Sequence, residues 1–442
     1  MTIIPAVPEP GSAGITNDDM KFFFPDSQDQ VDPSFDFETE TRDEFRIRQR
    51  NDRYAHEIFA QPPFNGILVS KAIVMGSGES SGKYSLPQRH RLLRLGVEEF
   101  FRLPKGDGRP ETMGDCGAFS YVKEEYPPFS VESVAEFYEQ CGFDYGISVD
   151  HAILAFHSED YHVDPELDLV PAEFVKRQRI TIDLAHDFLK LSQREKCGFV
   201  PVGVAQGWSP SSYAMAVKQL QDMGYEYIAL GGMVPLKTKE ILSCLERIQQ
   251  VRRAGTRFHL LGVTRCEQIG RFRDYGVVSF DSTSPFLQAF KDDRNNYHTP
   301  DRTYTAIRVP QVEGNPKLLR SIRAGEINQE VALKLEGACL RALRDFDRGK
   351  ATVEEVLEPI AEYERLYDGK RDRTASYRQV LEDSPWKQCP CDVCRAAGIH
   401  VIVFRGSERN KRRGFHNLWI FYRKLQRDLG LLEQPLALVD AP

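Results

Sequence analysis

The sequence predicts an α/β fold on a parallel sheet, closed as a (β/α)8 TIM-type barrel and followed by a cysteine-rich C-terminal subdomain. Three observations carry this. From residue 66 onward, short β-branched apolar runs alternate with longer amphipathic stretches. Polar residues and glycines stand at the C-terminal ends of several of those runs. Three cysteines crowd together near the C-terminus, at Cys389, Cys391 and Cys394.

The elements follow in order. Residues 1–19 are rich in Pro, Gly and Ala and have little to bury, so a disordered tail is expected there. In 20–65 the stretch MKFFFPDSQDQVDPSFDFETE punctuates aromatics with Pro and Asp; it reads as an ordered but irregular segment packing on the barrel. The barrel with its helical additions is assigned to 66–385. Its strands are GILVSKAIVM (66–75), YGISVD (145–150), VPVGVAQG (200–207), YIALGG (227–232), FHLLGV (258–263) and GVVSFD (276–281). Helical patterns such as VESVAEFYEQCG, SYAMAVKQLQDMG and KEILSCLERIQQVRRAG lie between them. Alternation of this kind implies a parallel sheet, either a barrel or a doubly wound sheet.

Strand ends separate the two. YGISVD ends in Asp150, VGVAQG in Gln206 and Gly207, YIALGG in Gly231 and Gly232, and GVVSFD in Asp281, while Asp115 lies in the turn-rich TMGDCGAFS. In a (β/α)8 barrel the functional groups come from the C-terminal ends of different strands. Such residues also punctuate strand ends for purely structural reasons. Three carboxylates and an amide over successive units favour a shared site. RTYTAIRVP reads as one more strand, 326–383 as mostly helical, and 386–442 as a metal-binding subdomain ending in the amphipathic helix FHNLWIFYRKLQRDLGLLEQP.

The chain has 442 residues, 41% hydrophobic and 28% charged, which suffices for a large core. A net charge of -7 argues against a globally basic nucleic-acid coat and leaves room for a local basic groove. The 9 cysteines are odd in number and mostly scattered, which fits a reducing compartment with one metal site better than a disulfide framework. The N-terminus lacks the pattern of a signal peptide and no long apolar run suggests a membrane span, so the cytoplasm is the expected location.

CPCDVC places Cys389, Cys391 and Cys394 in a C-x-C-x-x-C turn, and His416 follows a basic stretch. Three thiolates and an imidazole would close a tetrahedral shell, predicting one structural Zn2+ per chain rather than a catalytic one. His400 competes as fourth ligand; His416, placed at the start of a helix, is preferred. The intervening FRGSERNKRRGFH brings Arg405, Arg409, Lys411, Arg412 and Arg413 together, a patch that could neutralise phosphates or be a solvated charge run. VMGSGESSGKY imitates a phosphate loop, but Ser77 stands where glycine is required and Tyr84 where Ser or Thr would hold magnesium, so ATP hydrolysis is not expected.

Over roughly residues 66–425 the chain resembles the tRNA-guanine transglycosylases. DCGAFS is similar to the family's DSGGY/F segment. ISVDH, GVAQG, ALGGM and VSFDS follow its later barrel segments in order, and CPCDVC with FHNL its zinc subdomain. The opening MKFFFPDSQDQVDPSFDFETE resembles the branch that acts on DNA in 7-deazaguanine modification systems. After Asp281 the chain reads STSPFLQAF, where tRNA enzymes carry Pro-Thr-Arg and further basic residues. Cys116 and Ala118 also replace small residues of the motif. These departures bear on tRNA recognition, not on the chemistry.

The resemblance implies Asp281 as nucleophile and Asp115 as general acid/base. It implies Asp150, Gln206 and the Gly232 backbone N–H as readers of the base edge, and Phe119 and Leu261 as the two faces that sandwich the base. The implied activity is exchange of guanine in DNA for a free 7-deazaguanine, preQ0-like, through a covalent Asp–sugar intermediate. Helper proteins of a DNA-modification system would be further partners. The alternatives are the same exchange in tRNA and a catalytically silent nucleic-acid-binding member. Retention of both Asp115 and Asp281 speaks against the last.

Overall fold

A computed structural model describes residues 20–431 except 27, 78–79, 107, 158–170, 264 and 292–293. The expected tail at 1–19 lies outside the described residues. Eight parallel strands close into a barrel: β1 (Lys21–Pro25), β2 (Gly66–Ser70), β3 (Glu111–Asp115), β4 (Tyr145–Ile147), β5 (Val200–Ala205), β6 (Tyr227–Leu230), β7 (Arg257–Leu260) and β8 (Val277–Asp281). Closure runs through β1, which pairs with β8 on one side (Phe23↔Asp281) and β2 on the other (Phe24↔Ile67).

Two of these strands correct the sequence reading. Lys21–Pro25 was expected to be irregular and outside the barrel, yet it is the strand that closes it. Phe22, Phe23 and Phe24 are all buried: Phe23 fills the lumen and Phe22 packs outward against Phe280 and Phe421. A short strand buried on both faces has no alternation to reveal it. Glu111–Asp115 is likewise a strand, although ETMGD carries little β-branched character. Conversely, Thr303–Tyr304 and Ile307–Arg308 form only short ladders outside the barrel, with Tyr297–His298 and Val403–Phe404.

Helices cover the barrel between strands: α1 (Leu86–Phe100), α2 (Val131–Cys141), α3 (Ala172–Glu195), α4 (Pro210–Met223), α5 (Thr238–Gln249) and α6 (Cys266–Arg273). Their ends follow local chemistry. Ser130 and Ser209 accept from the Ser133 and Ser212 backbone N–H groups at N-termini, and Gly142 and Gly224 take the left-handed conformation that ends α2 and α4. The helical 326–383 stretch resolves into α7 (Gln329–Asp347), α8 (Val353–Tyr367) and α9 (Thr374–Asp383). The last described helix, α10 (Gly406–Asp428), returns to the barrel and lays Phe421 on Phe22 and Phe280, covering β1 and β8. Among the described residues, no helix is long and apolar enough to cross a membrane.

Candidate active site and metal centre

The C-terminal strand ends converge. Asp115, Phe119, Asp150, Gln206, Gly232, Leu261 and Asp281 all line one cavity of about 370 Å³ at the barrel mouth. They arrive from the C-terminal ends of six successive strands, β3 to β8, or the turns after them, Asp115 and Phe119 sharing β3, so the rigid barrel sets their spacing.

Asp150 is 2 % exposed and held from both sides. Gln206 Nε2 donates to its Oδ2 at 2.6 Å, and the Cys116 thiol donates to its Oδ1 at 3.1 Å. Tyr121 in turn donates its hydroxyl to Cys116 Sγ (3.0 Å). The Gln206 amide is oriented by the Ile153 backbone N–H, which donates to Oε1 (3.1 Å). Burial pushes the Asp150 carboxyl up to about 6, against the pull of its two hydrogen bonds. Asp115 goes further, to about 7: burial is the main cause and the neighbouring Asp150 charge adds to it. One carboxyl poised to carry a proton near neutrality thus sits beside one that ionises more readily, an arrangement suited to acid–base chemistry.

Asp281, at the end of β8, accepts the Gly262 backbone N–H (2.9 Å) and His259 Nε2 (3.2 Å), both on Oδ1. Gly231 and Gly232 pack against Gln206: a Cβ on either would run into its side-chain amide, and Gly232 also has φ +72. Phe119 is 58% exposed and stands at the rim. The sequence reading did not single out His259, Gly262 or Asp26, and it named Cys116 only as a departure from the motif. Asp26 directly follows β1 and lines the same cavity, its carboxylate taking the Tyr84 hydroxyl at 2.6 Å. It was hidden because β1 was. His259 carried one faint signal, a histidine in the otherwise apolar FHLLGV run.

Cys389, Cys391, Cys394 and His416 are buried, with ligand atoms all within 4.8 Å of one another. His416 Nδ1 stands 3.6, 3.4 and 3.3 Å from the three sulfurs. Thiolate and imidazole bound tetrahedrally to one zinc would be about 3.5 Å apart, so the set has the right span for a single ion. His416 Nε2 donates to the His298 carbonyl (2.7 Å), which leaves Nδ1 as the free ligand atom. Tyr297 stacks on the ring at 4.2 Å. These four residues can hold one metal ion. His400 is not among them; it stacks on Phe37, with Arg409 Nη2 3.5 Å from its Nδ1. His416 lies within α10, not at its start.

The expected phosphate-binding loop does not exist as such. Residues 406–413 are the first turns of α10, and their arginines point inward. Arg405 pairs with Glu40 and Glu336 (both 2.6 Å), and Arg409 with Glu40 (2.6 Å). Arg412 pairs with Glu408 (2.7 Å), and Lys411 donates to the Gln30 carbonyl (2.9 Å). Arg413 is fully buried and donates to the carbonyls of Val401 (3.1 Å), Val403 (3.2 Å) and Ala289 (2.6 Å). Arg405, Arg409, Lys411 and Arg412 tie the N-terminal segment to the C-terminal subdomain, and Arg413 braces the backbone around Ala289 and Val401, so the assignment of this stretch to nucleic-acid binding is withdrawn.

No protein-family model matches the chain. It is 50% identical over 416 residues to a DNA-guanine transglycosylase from Salmonella montevideo, covering 93% of this chain and 98% of that protein. With that identity along nearly its whole length, the chain belongs to the DNA-guanine transglycosylase family of pentosyl-transferring enzymes.

Proposed function

We propose that this protein exchanges guanine in DNA for a 7-deazaguanine base, through a covalent bond between Asp281 and the deoxyribose. The observation that carries the reading is the pairing in one cavity of Asp281, fixed by two N–H donors, with Asp115, whose carboxyl is raised to about 7. The DNA substrate is carried over from the relative's name.

Cleaving an N-glycosidic bond builds oxocarbenium-like charge at C1′. Asp281 attacks there as the C–N bond breaks, and its electron pair leaves with the guanine. Asp115 gives its proton to the departing base, then accepts one from the incoming 7-deazaguanine, whose nitrogen attacks C1′ and releases Asp281 as carboxylate. Two displacements retain the sugar configuration. Asp150 accepts from the guanine N1–H and 2-amino groups, while Gln206 and the Gly232 N–H face O6; Phe119 and Leu261 close on the two faces of the ring. A duplex must extrude the base to reach this pocket, at a cost of a few kcal/mol.

The Cys389, Cys391, Cys394 and His416 set fits structural zinc, which when bound cross-links the C-terminal subdomain and supplies no open coordination position. The chemistry proceeds in the cytoplasm, with helper proteins of a DNA-modification system as further partners. The test is base exchange with labelled 7-deazaguanine into plasmid DNA and, in parallel, tRNA. Incorporation into DNA alone supports the reading; incorporation into tRNA alone replaces it.

A further inference from the structure

The barrel lumen is apolar, built by Phe23, Leu68, Met113, Ile147, Val202 and Val204 with their neighbours. One polar line climbs through it. The Tyr227 hydroxyl at the start of β6 meets Ser279 Oγ, in the middle of β8. Ser279 Oγ lies 2.6 Å from His259 Nδ1 on β7, and His259 Nε2 lies 3.2 Å from Asp281 Oδ1. His259 and Ser279 are fully buried and Tyr227 nearly so, and the His259 ring packs edge-on against Phe23 at 5.9 Å.

The directions of these bonds follow when Asp281 is a carboxylate and the His259 ring is neutral. Nε2 must then carry hydrogen. A neutral ring consequently accepts at Nδ1 from Ser279, which accepts from Tyr227. Burial pushes the Tyr227 phenol well above its usual value, so it remains a donor. Oδ1 of Asp281 therefore receives two N–H groups, from Gly262 and His259, while Oδ2 has neither of them.

Resting on the reading of Asp281 as nucleophile, we propose that His259, held in one tautomer by Ser279 and Tyr227, is the positioning residue that clamps Oδ1 and presents Oδ2 to C1′. When Oδ2 bonds to C1′, Oδ1 becomes the ester carbonyl oxygen and keeps both donors. When the incoming base displaces Asp281, the electron pair of the C1′–O bond returns to the carboxylate, and the same donors stabilise the charge spread onto Oδ1. They assist its departure more than its attack. A histidine placed here only to fill the core would need partners for both nitrogens too, but its loss would not change how the intermediate breaks down.

The experiment follows formation and decay of the protein–DNA adduct in single-turnover reactions, beside steady-state exchange. His259→Leu should lower turnover by about 10²-fold, the usual effect of removing one preorganised donor. KM for DNA should fall along with turnover, and the adduct should accumulate, because its decay depends most on that donor. His259→Gln returns an N–H near the position of Nε2 and should recover most of the loss. A folded His259→Leu protein with wild-type turnover and adduct level overturns the proposal, as does a His259→Gln protein no better than a folded leucine variant. If leucine does not fold, Ser279→Ala decides: slower adduct decay supports the relay, and unchanged decay overturns it. Absence of any adduct in the wild-type protein, with exchange persisting in Asp281→Asn, removes Asp281 as nucleophile instead, and the clamp with it.

Discussion

Gln206 donates from Nε2 to Asp150 Oδ2 at 2.6 Å while its own Oε1 takes the Ile153 N–H, so the amide is locked with its nitrogen toward the carboxylate. The pair behaves as one reader of the base edge, not two. Gln206→Leu removes the donor and leaves a buried carboxylate short of a partner, which costs about 1–3 kcal/mol. Exchange should fall by roughly 10–100-fold, seen in kcat/KM, with the fold intact by circular dichroism. Activity within twofold of wild type would mean that the pair does not read the base.

Asp115 and Asp150 set opposite limbs of a pH profile. Asp115 must hold its proton, and burial has raised it to about 7, so kcat/KM should fall as pH rises through that value. Asp150 must be ionised to accept from guanine, and it is raised to about 6, so the rate should also fall as pH drops through that value. A narrow bell between the two is expected, and Asp115→Asn should lower the whole profile by about 10²–10⁴-fold.

The same shift makes a stability prediction. Unfolded, an aspartate of this kind titrates at 3.8; folded, Asp115 keeps its proton to about 7. Its favourable contribution is therefore present at low pH and lost as pH rises through the folded value. Asp115→Asn should gain stability relative to wild type between pH 5 and pH 8, by at most about 4 kcal/mol. Thermal melts across that range measure it; a gap that shrinks with pH would contradict the assignment.

How far the site was legible depended on how each residue was signalled. Asp150, Gln206, Gly232 and Asp281 follow runs with clear β character, and all of them line the cavity. Asp26 and His259 escaped because β1 and β7 are buried on both faces, and inward and outward positions look alike in one dimension. The metal set was visible because a C-x-C-x-x-C turn has few other uses. The arginines misled for a physical reason: clustered positive charge in a sequence looks the same whether it faces phosphate or faces Glu40 and Glu336.

Those arginines now predict folding rather than binding. Arg413→Ala would strip donors from the Val401, Val403 and Ala289 carbonyls and leave a cavity. Destabilisation on the order of 3 kcal/mol is expected in a urea melt. Lys411→Ala should leave the salt dependence of DNA binding unchanged, because that ammonium is already directed at the Gln30 carbonyl. A slope reduced by about one would restore the phosphate contact.

Metal removal separates the two histidines. Cys391→Ala or prolonged chelation should release one zinc per chain and unfold the C-terminal subdomain, since binding at closed sites contributes on the order of 10 kcal/mol to folding. His400→Ala should keep the metal, because His416 completes the cluster. Elemental analysis beside a thermal melt reads both. A folded, zinc-free wild-type protein would refute the site.

The central claim is that Asp281 bonds to the sugar, and one gel tests it. Guanine-containing DNA is mixed with the enzyme, denatured and resolved by mass. The wild type should give a band of combined protein and DNA mass, and Asp115→Asn should bind DNA yet turn over slowly. Asp281→Ala should give neither the band nor exchange, because no group remains to bond to C1′. A combined-mass band with Asp281→Ala, or normal base exchange by that variant, would contradict the account.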